Sequence, residues 1–268
     1  MDWSKTKTIF IAVFLVLDIF LAVMFFNKYS ASRFEVIKAT TIEEKLQSDG
    51  VKYEKMPADA GERSLITAKP KIFSETDLLF LTKQKLDIRK NGTEIASVLD
   101  KPYDTNGATR DKLNSFVKNN VYQGGEYSYG ERKRSQDGDT VIYYQKIENK
   151  KLFENDYGTL TLQLDNDENV VEYSQTMLDS VDEDRNEAAI LPAPQALDAL
   201  YKNGLIQPDS KISNAELGYY TFVQLNESQV LLQVLSPTWY FQLEKGDITE
   251  EVYVNAFDGS IYQTDKES

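Results

Sequence analysis

From Ile9 to Phe26 the chain reads IFIAVFLVLDIFLAVMFF, eighteen residues with one ionisable side chain, Asp18. At 1.5 Å per residue such a run makes about 27 Å of helix, close to the hydrocarbon thickness of a bilayer. Trp3 and Tyr29 stand beyond its two ends, where amphipathic rings favour the headgroup level, and Lys5, Lys7 and Lys28 bound the apolar stretch. The pattern predicts a cytoplasmic stub over residues 1–8 and a single transmembrane helix over 9–26, leaving the bulk of the chain outside the cell membrane. The orientation rests on Lys5, Lys7 and the amino terminus set against Lys28, Arg33 and Lys38, a slight positive-inside preference for a cytoplasmic N-terminus. A cleaved signal peptide is the competing reading, because Ser30, Ala31 and Ser32 are small; the apolar run exceeds the usual length of such a peptide's core.

Asp18 lies near the centre of the run. A carboxylate facing lipid there would cost roughly 3 kcal/mol, so it is expected to face a protein partner or to be protonated and hydrogen-bonded. Asp18 is therefore a candidate partner-binding residue on a helix–helix interface.

The 268 residues carry a net charge of −13, and the whole of that negative balance belongs to the part after Arg33, which carries −15. A nucleic-acid partner would be met against general repulsion, with only Arg132, Lys133 and Arg134 as a local basic run, and is set aside. Cysteine and histidine are both absent. Disulfides, thiolate nucleophiles, histidine triads and Cys/His zinc sites are thereby excluded within this chain. The 16 Tyr and 13 Phe supply ample core area.

Periodicity organises the remainder. Val36, Ile37, Ile42 and Leu46 predict a juxtamembrane helical linker over 27–50, stopped at Asp49-Gly50. Short apolar pieces at 64–67, 78–81 and 94–98 read as strands, and Leu113, Phe116 and Val117 mark a helix over 109–119. VIYYQKI (141–147), KLFEN (151–155), GTLTLQL (158–164) and VVEYSQTM (170–177) read as an antiparallel meander, with Leu160, Leu162 and Leu164 on one face. A helix from near Pro194 to Asn203-Gly204 precedes a second strand set, which includes separate strands at 229–235 and 238–243. Helix followed by strands occurs twice. The expected fold class is α+β, with two units of antiparallel sheet and a packed helix, divided as 51–181 and 182–268.

Few residues carry a chemical signature. Ser115 and Lys118 have S-x-x-K spacing without companion motifs, and read as a helix surface. Asp165, Asp167 and Asn169 alternate like a calcium loop, but Val170 replaces the sharp-turn glycine, which leaves a hairpin turn. No phosphate loop, nucleophile elbow or dinucleotide fingerprint occurs, so neither an enzyme nor a cofactor is expected. Trp239, Tyr240 and Phe241 are adjacent, and on a strand Trp239 and Phe241 face together, either into the core or as an aromatic partner-binding patch.

The opening Met1-Asp2-Trp3-Ser4-Lys5-Thr6-Lys7-Thr8-Ile9-Phe10 and the blocks Glu216-Leu217-Gly218-Tyr219-Tyr220, Ser236-Pro237-Thr238-Trp239-Tyr240-Phe241 and Tyr253-Val254-Asn255-Ala256-Phe257-Asp258-Gly259 resemble the YycI regulatory family. The resemblance implies a non-enzymatic accessory protein that works with a homologous YycH-type protein and modulates a WalK-type sensor histidine kinase controlling cell-wall metabolism. Its membrane helices would make much of the contact, within the lipid bilayer. The alternative expectation is an extracytoplasmic module that binds a ligand or wall fragment without touching a kinase, and a carboxylate-based hydrolase is a further one.

Overall fold

The computed structural model describes residues 41–53, 56–57, 61–105, 107–135, 138–183, 186–227 and 230–262. In the N-terminal segment it describes Trp3, Lys7, Ile11, 13–15 and 17–24. The chain divides into two units, Met1–Thr41 and Ile42–Ser268. In the first, every described residue from Ile11 to Met24 is helical and exposed. Among the described residues no helix is long and apolar enough to cross a membrane. Ile9, Phe10, Ala12, Val16, Phe25 and Phe26 of the expected span lie outside the described residues, as does most of the expected linker.

The second unit is mostly sheet with few helices, an α+β fold. Its helices are α1 (Ile42–Ser48), α2 (Glu75–Leu78), α3 (Arg110–Asn120) and α4 (Ala193–Lys202). The first strands are β1 (Lys52–Tyr53), β2 (Glu62–Arg63), β3 (Ile66–Pro70), β4 (Gln84–Arg89) and β5 (Glu94–Tyr103). The central ones are β6 (Tyr127–Lys133), β7 (Thr140–Ile147), β8 (Lys150–Phe153), β9 (Thr159–Leu164), β10 (Val170–Gln175), β11 (Leu178–Glu183) and β12 (Ala188–Ala189). The last are β13 (Lys211–Glu227), β14 (Val230–Lys245), β15 (Ile248–Asn255) and β16 (Ile261–Tyr262). All but β2 and β12 join one sheet along the path β11-β3-β14-β13-β8-β7-β9-β10-β5-β4, with β1, β6, β15 and β16 attached beside it.

Two helix-on-sheet cores form because two amphipathic helices each cover one stretch of sheet. Leu113, Phe116 and Val117 of α3 meet Ile95, Tyr143, Leu160, Leu162, Val170 and Tyr173. Leu160, Leu162 and Leu164 are all buried while Thr159, Thr161 and Gln163 are half-exposed, as strand alternation requires. Leu46 of α1 and Ala196, Leu197 and Leu200 of α4 meet Leu217, Trp239, Phe241, Val252 and Val254. Pro192 caps α4 with Pro194 in the first turn, and Gly204 follows its end at φ 71°, where a side chain would be strained.

The expected division at 181/182 does not fall on a gap. It cuts β11, which pairs with β3 (Glu183 opposite Ile66), and β3 in turn pairs with β14. A side chain strengthens the seam. Gln145 on β7 is buried, its Nε2 donates to the Leu178 carbonyl at 2.9 Å, and its Oε1 accepts from the Leu178 N–H at 2.7 Å. The carboxamide thus substitutes for a strand partner at the start of β11.

Two expectations are corrected. Leu78–Leu81 is not a strand: the Ser74 N–H and hydroxyl both bond Asp77 Oδ2, at 2.9 and 2.8 Å, and this local cap starts the single-turn helix α2. The strands expected at 229–235 and 238–243 are one strand, β14, running through Pro237. Within a strand a residue's C=O and N–H point to the same side. Pro237's carbonyl accepts from Ala256 at 2.9 Å on the side where β14 changes partner, from β3 at Gln233–Leu235 to β15 from Thr238 onward. Its missing N–H falls at that changeover, where no ladder bond is lost.

Candidate functional site

The three partner-binding candidates have different fates. Trp239 and Phe241 share a face, but it is the core face: both are completely buried, with rings 6.3 Å apart beneath α4. Trp239 Nε1 donates to the Leu191 carbonyl at 2.7 Å, so even its polar edge is occupied. Neither forms an open aromatic patch. Asp18 lies in the helical stretch 17–24 and is exposed, and helical spacing sets Phe14, Leu15, Leu21 and Ala22 on its face.

The opposite face of the strand holds a different aromatic assembly. Tyr240 on β14 stands directly across from Tyr253 on β15, and Tyr220 on β13 across from Phe153 on β8. Ring centroids lie 5.2 Å apart for Phe153–Tyr240, 5.4 Å for Tyr240–Tyr253 and 4.9 Å for Tyr220–Tyr262. Glycine makes the layer possible: a Cβ on Gly218 would sit 2.3 Å from the Phe153 ring, and one on Gly130 2.5 Å from Tyr144. Burial raises the phenol pKa values of Tyr144, Tyr240 and Tyr253 well above the ordinary range, and nearby glutamates raise them further. These tyrosines are neutral donors, not nucleophiles.

Carboxylates gather at the rim. Tyr240 donates to Glu251 Oε1 at 2.9 Å. Glu154 is an exposed residue whose carboxyl is only partly desolvated beside the rings; this desolvation first, and repulsion from Glu251 next, hold it above its ordinary pKa. Two converging acids, one displaced, are what a carboxylate hydrolase needs; here Glu154 and Glu251 flank the packed rings of Phe153, Tyr240 and Tyr253. A carboxyl with a raised folded-state pKa favours the folded state as pH falls through that pKa, and its charge disfavours folding above it. Glu154→Gln should therefore raise the melting temperature at pH 7, with a gain that fades as pH falls into the carboxylate range. Thermal unfolding across a pH series checks this, and an unchanged melting temperature at pH 7 would contradict it.

The other motifs resolve into structure. Ser115 Oγ donates to the Asp111 carbonyl at 2.8 Å within α3. Asp165 Oδ1 accepts from the N–H groups of Asp167 and Asn169, at 2.9 and 2.8 Å, and so shapes the β9–β10 turn. Arg132 pairs with Asp139 and Glu168, and Lys133 with Glu131, which neutralises most of the one basic run. Among the described residues no group of three or more acidic side chains is placed to hold a metal ion.

The sequence profile of the YycI protein family matches residues 31–257. The chain belongs to the YycI family. That range includes the Glu216–Tyr220 and Ser236–Phe241 blocks, and membership implies involvement in the WalK regulatory system as a regulatory accessory protein of a family not known for catalysis. No curated protein matches this YycI-family chain. Among solved structures it is similar to an uncharacterised protein from Eubacterium rectale, at 11% identity and a TM-score of 0.48, over 81% of this chain and 91% of the other. It is also similar to the YpeB C-terminal domain of Bacillus megaterium, at 14% identity and a TM-score of 0.43, over 70% and 92% of the two chains.

Proposed function

We propose that this YycI-family chain is a membrane-anchored accessory regulator that binds a WalK-type sensor histidine kinase together with a YycH-type homologue. The N-terminus is cytoplasmic, residues 9–26 span the cell membrane once, and Ile42–Ser268 lies outside. The observation that carries this reading is the N-terminal helical stretch. Phe14, Leu15, Leu17, Ile19, Phe20, Leu21, Val23 and Met24 are all exposed by about half of their surface, a helical stretch apolar on all sides. Such a surface calls for lipid or another helix. Asp18, on the Phe14–Ala22 face, is the one polar group on it and turns that face toward a protein. Regulation then requires that the contact be stronger in one signalling state of the kinase than in the other, since equal binding to both would tether without shifting the output.

Asp18→Leu keeps the helix apolar and removes the polar contact. An intramembrane hydrogen bond of about 0.6–2 kcal/mol predicts roughly 3- to 30-fold less kinase recovered from membranes at limiting expression. Undiminished recovery, with crosslinks from the Asp18 face reaching only lipid, would remove Asp18 from the interface.

A further inference from the structure

A cleft of about 400 Å³ lies between α3 and β6, lined by Arg110, Asn114 and Lys118 from the helix, Gly124-Gly125 from the turn, Ser128 and Tyr129 from the strand, and Lys151 from β8. Its charge is opposite to that of the protein. The chain carries a net −13, yet three cationic side chains and no carboxylate line this cleft. Lys151 is paired with Glu216 at 2.8 Å, but among the described residues Arg110 and Lys118 form no ion pair. In a chain with 43 acidic residues, leaving both cations unneutralised on one wall is a specific arrangement.

The wall is also oriented. The Arg110 guanidinium lies 4.2 Å from the Tyr129 ring centroid, so stacking holds its planar fork of donors in place. Tyr143 donates to Asn114 Oδ1 at 2.9 Å, and among the described residues the Asn114 NH2 has no hydrogen-bond acceptor. Arg110, Asn114 and Lys118 are spaced by four residues and therefore share one helix face. The turn packs closely on α3 at Gly124, where a Cβ would lie 1.8 Å from the Val117 carbonyl oxygen, while a Cβ on Gly125 would meet nothing within 4 Å.

The geometry points to a binding site for a multivalent oxyanion of the phosphate class, up to the size of a phosphorylated sugar. Planar donors on Arg110, the point charge of Lys118 and neutral donors on Asn114 and Ser128 match phosphoryl oxygens, with the Glu216-paired Lys151 at the edge, and the volume is in the range of small-ligand sites. All of its lining residues belong to Ile42–Ser268, so variants of the cleft and of the N-terminal helix give independent readouts.

Inorganic pyrophosphate titrated calorimetrically into the full chain, held in zwitterionic nanodiscs, tests it. The double variant Arg110→Gln/Lys118→Gln should bind about tenfold or more weakly, while Lys85→Gln/Arg89→Gln on strand β4, neither of which lines the cleft, should bind as the parent does. Both replaced cations are exposed, and an unchanged melting temperature verifies that the fold is intact. Phosphatidylglycerol added to the discs distinguishes the source: selective loss of pyrophosphate binding in the parent identifies a lipid headgroup, and retained binding identifies a soluble phosphate or envelope polymer. No saturable binding by the parent, or equal binding by parent and double variant, overturns the proposal.

Discussion

Trp239→Ala should lower the melting temperature of the full chain by roughly 6–20 °C, corresponding to about 3–5 kcal/mol for removing a buried indole, at some 2–4 °C per kcal/mol in a domain of this size. Trp239 is completely buried between α4 and the β13–β15 sheet, and its N–H is spent on the Leu191 carbonyl at 2.7 Å. Leu191 itself donates to Ala256 at 2.7 Å, so the indole fixes the segment that leads into α4. Trp239→Phe retains most of the apolar area and loses the hydrogen bond, and should cost only about 1–2 kcal/mol. Calorimetric unfolding of the three proteins gives the order parent, Phe, Ala. A Trp239→Ala melting temperature within a degree of the parent's would mean that the residue is not core, and would reopen a surface role.

Gln145→Leu is the second large effect. Leucine is close in volume, so packing changes little, but the Leu178 N–H and C=O both lose their partner in a position that is 1% exposed. Leaving two buried backbone groups unpaired costs about 2–5 kcal/mol. The local reading is sharper than the global one: amide exchange at Leu178 should speed up by more than exchange in β9, which keeps both its strand partners. Equal protection at Leu178 in parent and variant would contradict the seam role given to Gln145.

Residues whose environment is set by near neighbours were readable from the sequence. The three leucines of β9 alternate, α3 and α4 carry their stripes, and Gly50 and Gly204 end helices at positive φ. Residues whose environment is set across the sheet were not. Pro237 looks like a strand breaker until β14 is seen to change partner beside it. Four apolar residues at 78–81 look like a strand, although Ser74 and Asp77 had the spacing of a helix cap.

Alternation correctly set Trp239 and Phe241 apart from Tyr240, but which face α4 covers depends on a helix some forty residues earlier in the chain. The tyrosine layer and its glutamate rim draw on strands from β7 to β16, one or two residues at a time, and the Arg110–Lys118 wall acquires meaning only when β6 and Lys151 close the cleft. Neither leaves a motif. Their signals are diffuse: an aromatic at alternate positions in successive strands, and a Gly-Gly turn after a helix with Arg110 in its first turn and Lys118 in its last.

The central claim is that the N-terminal helix recognises the kinase, and it is tested most directly by exchanging that helix. Residues 9–26 are replaced by an unrelated spanning sequence of equal length, and WalK-type kinase and YycH-type partner are captured from membranes with the parent and the exchanged chain. The account predicts that the kinase is retained by the parent and lost from the exchanged chain although Ile42–Ser268 stays folded and membrane-held. Equal capture of the kinase by both would contradict it and move recognition to the sheet.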